Sequence, residues 1–340
     1  MSTPAAAAVE ASGLTKRFGS LTAVDGLSFS VRPGEIFGLV GPDGAGKTTA
    51  MRMLASVMRP DAGSIVIDGI DVLAHPEKTK RHVSYMPQRF GLYEDLTVEE
   101  NIRFYADLFE VPRELWEARA QSMLVASDMT QFRKRLAGQL SGGMKQKLGL
   151  TCSLVHTPRV LLLDEPTTGV DPLSRREFWQ ILYSLRAEGV AMLISTAYLD
   201  EAERCDRLAL LHRGTMRYCD TPAGLKSRMP GAMLEVTSPE SRKVREVALS
   251  LEGVQGVLLV GSGAHVHVDD AQRRTPQLAQ ALTAAGVQAT HIAEVAPTIE
   301  DLFVALLDQN SEACCLPART PKSSSTGWSS GLVTSSRWMA

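Results

Sequence analysis

Residues 41–48, Gly-Pro-Asp-Gly-Ala-Gly-Lys-Thr, constrain what this chain can fold into more than any other segment of it. They fit the pattern G-x-x-x-x-G-K-[ST]. An apolar run, Glu35–Val40, precedes them and reads as a buried strand; a run rich in Ala, Met and Leu, Lys47–Val57, follows and reads as a helix. Glycines at these spacings let backbone N–H groups turn toward phosphate oxygens, and the helix N-terminus adds its positive end. The segment Gly41, Pro42, Asp43, Gly44, Ala45, Gly46, Lys47, Thr48 and Thr49 is therefore expected to cradle a nucleotide's phosphates. Lys47 would reach the β- and γ-phosphates, and the Thr48 hydroxyl would bind Mg2+. Taken alone, the motif leaves open a Gly-rich strand-to-helix turn without a ligand.

Four downstream segments add chemistry. Val160-Leu-Leu-Leu-Asp-Glu-Pro166 is an apolar strand ending in two carboxylates. Asp164 is placed to hold Mg2+, and Glu165 to orient or deprotonate an attacking water. Two adjacent acids after four apolar residues have little structural reason to be there, because buried carboxylates are costly. Leu140-Ser-Gly-Gly-Met-Lys-Gln-Lys147 places Ser141, Gly142 and Gly143 where a helix would start, a second anion-binding geometry. Gln88 follows a short strand-like stretch, and Asp171 lies in Gly169-Val-Asp-Pro172. A solvated loop residue and a simple turn residue remain open for these two.

The set, in this order, resembles the ATPase subunit of ABC transporters over residues 8–220, because Leu140-Ser-Gly-Gly occurs together with the phosphate loop and the Asp164-Glu165 strand. The resemblance implies an α/β P-loop core with an inserted helical subdomain. It implies that Phe18, in Lys16-Arg-Phe-Gly19, stacks on adenine and that Gln88 contacts the metal or water and signals to a membrane partner. It also implies that Ser141 and Gly143 touch a γ-phosphate bound by a second, opposite ATPase domain, with Asp171 at the seam. Two such domains close head to tail on two ATP molecules, so that ligand binding shifts the population and hydrolysis resets it. Two positions depart from the family pattern. Asp43 stands where Asn is commoner, a small change because backbone amides carry the contact. Ala197, in Leu193-Ile-Ser-Thr-Ala197, stands where the family has His, and it brings no hydrogen-bonding side chain.

Composition narrows the setting. A hydrophobic fraction of 44% supports a real core, and a net charge of −2 with dispersed Lys and Arg argues against a general nucleic-acid surface. Arg119, Arg133, Lys134 and Arg135 read as a solvated helix end. No apolar stretch reaches the length of a membrane span, the N-terminus lacks a secretory pattern, and residues 1–8 read as a flexible leader. Cys152, Cys205, Cys219, Cys314 and Cys315 have neither metal-ligand spacing nor a disulfide framework. The expected setting is the cytoplasmic face of the bacterial inner membrane, beside a separate permease.

Residues 9–221 alternate strands and helices, with a mostly helical insertion over about 91–158. Phe90, Tyr93, Phe104 and Tyr105 are candidates for permease contact, with core packing the competing role. From residue 222 to 308 the pattern reads βαββαβ: strands at Met233–Thr237, Val254–Val260, Ala264–Val268 and Val287–Ile292, helices at Arg242–Leu251 and Pro276–Ala285. That order predicts a small ferredoxin-like α+β unit, similar to the C-terminal extension of drug-exporter ABC ATPases. His265 and His267 read as exposed strand residues. Residues 309–340 read as a disordered tail. If the codons of Ser323–Ala340 are read one nucleotide earlier, Leu-Val-Lys-Arg-Phe-Gly-Asp-Phe-Val-Ala-Val-Asp-Gly is allowed, against Leu-Thr-Lys-Arg-Phe-Gly-Ser-Leu-Thr-Ala-Val-Asp-Gly at Leu14–Gly26. Trp328, Trp338 and Met339 have single codons and restrict that reading. It makes the tail a frame-shifted remnant of a tandem protein with two ATPase domains.

The leading functional expectation is an ATP-hydrolysing engine of an ABC exporter, most like those for drugs. The alternatives are a soluble ABC ATPase and a slow, regulatory nucleotide-binding subunit.

Overall fold

The computed structural model describes residues 6–312 apart from Phe90 and Ser262, with side chains described as far as Ala305. The readings of residues 1–5, Phe90, Cys314, Cys315 and the tail beyond residue 312 lie outside the described residues.

The chain opens with β1 (Val9–Phe18), β2 (Leu21–Val31), β3 (Ile36–Val40), α1 (Lys47–Leu54), β4 (Ala62–Ile67), β5 (Ile70–Asp71), α2 (Pro76–Lys80) and β6 (Val83–Met86). Three helices follow: α3 (Val98–Leu108), α4 (Arg113–Ala126) and α5 (Gly142–Leu154). Alternation resumes with β7 (Val160–Asp164), α6 (Pro172–Ala187), β8 (Ala191–Thr196), α7 (Leu199–Ala202), β9 (Arg207–His212), β10 (Thr215–Asp220) and α8 (Pro222–Lys226). The last elements are β11 (Ala232–Thr237), α9 (Ser241–Leu249), β12 (Val254–Val260), β13 (Gly263–Val268), α10 (Ala271–Ala284), β14 (His291–Val295) and α11 (Ile299–Glu312).

The central sheet has the order β10-β9-β3-β8-β7-β6 and is parallel except where β10 pairs with β9. Strands β3, β7 and β8 are buried along their whole length. That explains their continuous apolar runs, since a parallel sheet is covered on both faces. A second, antiparallel sheet, β2-β1-β4-β5, packs into the same core through Val9, Leu14, Leu27 and Ile65. The helical insertion has its own apolar cluster around Ile102, Trp116, Leu124 and Leu148. Its first helix starts on a capping box: Thr97 accepts from the Glu100 N–H while Glu100 accepts from Thr97.

The C-terminal sheet is antiparallel with order β12-β13-β11-β14. With βαββαβ succession, this is the 4-1-3-2 arrangement of a ferredoxin-like unit. Helices α9 and α10 cover one face through Val244, Leu278 and Leu282. Five expectations need correction. Residues 309–312 are not the start of a disordered tail, because α11 runs on to Glu312. Ala8 is not part of a loose leader: its N–H donates to Val31 O at 2.8 Å and its carbonyl accepts from Asp68 N at 2.9 Å. Helix α10 starts at Ala271, not Pro276, because Asp270 caps it by accepting from Arg273 N at 2.8 Å; the proline lies inside the helix. The last strand begins at His291 rather than Val287, since pairing starts only where Thr290 N donates to Thr237 O. His265 and His267 are not exposed, because α11 lies across that face of the sheet. His265 Nδ1 pairs with Asp301 at 3.0 Å, and His267 Nε2 donates to Pro230 O at 2.6 Å.

Candidate nucleotide site

The loop 41–46 joins the end of β3 to the start of α1. Gly46 sits at φ 101°, and a Cβ there would come within 2.4 Å of Ala23 O, so both its conformation and its close approach require glycine. Lys47 is 4% exposed. Its ammonium donates to Gly41 O at 2.8 Å and Pro42 O at 3.1 Å and lies 3.1 Å from Glu165 Oε1. Gln88 Nε2 donates to the other oxygen, Oε2, at 3.0 Å. Lys47, Glu165 and Gln88, far apart in sequence, thus form one chain of contacts.

Below it lies Asp164, 1% exposed. Its Oδ1 accepts from Thr48 Oγ1 at 3.1 Å and from Ser195 Oγ, and its Oδ2 accepts from Tyr85 OH at 3.2 Å. Burial first, then the Asp164 carboxylate, pushes the Tyr85 phenol up to about 12, so Tyr85 stays a donor. The Glu165 N–H is held by both Ser195 O and Ser195 Oγ at 3.0 Å. With its N–H held there, Glu165 sits at φ 48°, left-handed backbone that is uncommon for a non-glycine residue. Ser195 and Tyr85 hold these two acidic residues without any motif to mark them in the sequence. Their signal was position: each sits at or near the C-terminal end of a strand beside β7.

A cavity of about 730 Å3 opens above these groups, lined by Asp43, Gly44, Ala45, Gly46, Lys47, Thr48, Thr49, Gln88 and Glu165 on the phosphate side and by Phe18, Leu21, Ala23 and Arg213 on the other. Phe18 is 47% exposed, with the Lys16 ammonium 5.9 Å from its ring centre. Arg213 is a further lining residue with no sequence signal. Gly41 and Pro42 stand at the base of the loop, where their carbonyls hold Lys47.

Ser141, Gly142 and Gly143 do not line this cavity. Ser141 caps α5 by accepting from Met144 N at 3.3 Å, and Gly142 and Gly143 form its first turn. Asp171 caps α6 in the same way, accepting from Ser174 N at 2.9 Å. The two helix starts meet: a Cβ on Gly143 would stand 2.4 Å from Ser174 Oγ and 3.3 Å from Asp171 Oδ2. Ala197 is exposed and follows β8 directly. The basic cluster is more engaged than a solvated helix end: Arg119 donates to Val155 O at 2.8 Å, and Arg133 pairs with Glu99 at 3.0 Å.

A mostly parallel sheet whose first buried strand feeds a lysine-ended glycine loop, with a carboxylate pair at the end of a nearby strand, defines a P-loop nucleotide-binding protein. The comparisons narrow that class. Residues 24–168 match the ABC transporter family, and residues 221–307 match the C-terminal domain of DrrA1-3-like ATP-binding proteins. The chain is 44% identical over 305 residues to the probable multidrug ABC transporter ATP-binding protein YbhF of Escherichia coli (strain K12), covering 88% of this chain and 52% of that protein. It is 35% identical over 310 residues to the daunorubicin resistance ATP-binding protein DrrA2 of Streptomyces coeruleorubidus, covering 90% of this chain and 96% of that one. It therefore spans about half the length of the YbhF protein and nearly all of DrrA2. A solved ATP-binding subunit of an ABC transporter is 30% identical and overlays 65% of this chain and 92% of its own with a TM-score of 0.60. The ATP-binding cassette MJ0796, solved as a dimer bound to ADP and Pi, shares the fold at 24% identity, a TM-score of 0.57, 63% of this chain and 98% of its own. The chain belongs to the ATP-binding proteins of the ABC transporter family.

Proposed function

We propose that this chain is the ATP-hydrolysing engine of an ABC exporter that moves drug-like cargo through a separate membrane permease. The observation that carries this reading is the stacked arrangement of Thr48–Asp164 beneath Lys47–Glu165–Gln88 on the floor of one cavity. Backbone N–H groups of residues 44–48 and the Lys47 ammonium bind the β- and γ-phosphates. Glu165, turned into the cavity by its left-handed backbone, orients water for in-line attack on the γ-phosphate and receives its proton. Phe18 stacks on the base.

The donor set fits Mg2+, which takes hard oxygen ligands. The Thr48 hydroxyl and the Asp164 carboxylate already converge, and the Gln88 amide lies close by. Bound there, the cation would neutralise phosphate charge.

Ser141, Gly143 and Asp171 converge on each other and stand outside the cavity, which supports their use on a second ATPase domain, from another copy or a partner subunit. The permease side is proposed at α3 and the segment before it, where Leu108 at the end of the helix is 60% and Tyr93 ahead of it 48% exposed, with Val57 67% exposed nearby. Val57 and Leu108 line a groove of about 530 Å3. Tyr105 is the weaker candidate, since its hydroxyl donates to Gly91 O at 2.8 Å. Such a subunit would sit on the cytoplasmic face of the inner membrane. Ala197 favours a second reading, slow turnover with binding as the main role. Steady-state phosphate release with and without a copurified membrane partner tests both. Partner-stimulated turnover supports the engine, and unstimulated, very slow turnover supports the alternative.

A further inference from the structure

Glu201 is fully buried, which is unusual for a carboxylate, and both its oxygens are engaged. Oε1 accepts from Thr167 Oγ1 and from Trp179 Nε1 at 3.4 Å, with Arg175 Nε 3.9 Å away. Oε2 accepts from Thr196 Oγ1 at 2.8 Å, and that same hydroxyl accepts from Tyr198 N at 2.9 Å. The donors come from three segments. Thr167 lies two residues after Glu165 on the way to Asp171. Thr196 ends β8 and fixes the turn that carries Ala197. Trp179 and Arg175 lie on α6, the helix that Asp171 caps. Arg175 reinforces the junction: its guanidinium stacks on Tyr198 at 4.5 Å and reaches Asp200 Oδ2 at 3.5 Å.

We propose that Glu201 is a positioning residue for ATP hydrolysis, clamping the Glu165–Asp171 segment to the Thr196–Tyr198 turn. A buried carboxylate is a poor way to gain stability, since apolar side chains of like volume do as well or better. What it supplies here is a fixed separation between two segments that flank the γ-phosphate position. Misplacement of catalytic groups by about 1 Å costs roughly a hundredfold in rate. Because Ala197 brings no side-chain contact of its own, the position of its turn depends on Thr196 and hence on Glu201.

The inference rests on the hydrolysis reading above. The test compares full-length wild type with Glu201→Ala, Glu201→Gln, Thr167→Val, Thr196→Val and the double Thr variant. The readouts are kcat and KM for Mg-ATP, and amide hydrogen exchange of residues 165–171 and 196–201. The expected result is a kcat about tenfold or more lower in Glu201→Ala with KM within about twofold, partial rescue by Gln, and non-additive losses in the Thr pair. Either Thr variant should also raise exchange in both segments together. Folded Glu201 variants with wild-type kcat, or Thr variants that loosen only their own segment, would overturn the clamp. If Glu201→Ala does not fold, the Thr variants decide alone. A wild type without turnover would sink the hydrolysis reading, and the exchange coupling would still decide the clamp.

Discussion

Lys47 and Glu165 meet at 3.1 Å, and the two have opposite uses, which separates their variants. Lys47→Ala removes the counter-charge to the phosphates and should weaken Mg-ATP binding by about tenfold or more, read by equilibrium binding. Glu165→Gln keeps the side chain's shape and leaves Thr48 and Asp164 untouched. It should bind ATP normally, lower kcat by about a hundredfold or more and accumulate as a closed dimer on gel filtration with ATP. Turnover of Glu165→Gln at the wild-type rate would remove Glu165 from its proposed role. At Ala197 the backbone position is set by Thr196 and Tyr198, so Ala197→His should restore a donor in place and raise partner-stimulated phosphate release. An unchanged rate would mean that another group closes the site.

Among the elements, the starts of α5 and α6 are packed closely against each other. Gly143→Ala would drive a methyl into Ser174, and overpacking of this kind costs about 1–3 kcal/mol. A lower melting temperature with unchanged monomeric ATP affinity is expected, since neither helix start lines the cavity. The helical insertion also carries an acid sensitivity. His156, just beyond α5, stacks on Phe109 at 3.8 Å, and burial lowers its imidazole to about 4, with Arg119 adding to the effect. The folded state therefore refuses a proton that the unfolded chain takes near 6.5. Stability is unaffected above that pH and falls as pH drops from about 6.5 to 4, by up to about 1.4 kcal/mol per pH unit. His156→Phe keeps the ring stack without the titration, so its melting temperature should vary less with pH across that window.

At the scale of the whole molecule, residues 222–308 do not share a single core. The β11–β14 sheet packs on α9 and α10, but Leu225, Ile299 and Leu302 belong to a cluster with Val40, Ala202, Leu208 and Leu210 of the ATPase part. Ile299 N also donates to Glu203 Oε1 at 3.4 Å. A chain ending at residue 221 should therefore fold with a melting temperature several degrees lower, because burying each large apolar side chain contributes about 1.5–3 kcal/mol. It should still bind ATP, since the cavity contains no residue beyond Arg213. Loss of all nucleotide binding by a folded fragment would show that α11, whose Ile299 and Leu302 share an apolar cluster with Val40 at the end of β3, supports the phosphate loop.

The sequence by itself determined the phosphate loop, the acidic strand end, the helix start at Ser141 and the βαββαβ order. Each depends on local chemistry: glycine torsions, side-chain caps and apolar period. Local chemistry also misplaced α10, because a proline reads as a helix start and the better cap, Asp270, lies six residues earlier. Only the tertiary structure decided which strand ends lie side by side, and with them the roles of Tyr85, Ser195 and Glu201. Strand order sets those contacts, and it is decided by how sheets and helices bury their faces across the whole chain. The same holds for His265, which reads as exposed until α11 brings Asp301 to 3.0 Å from its ring.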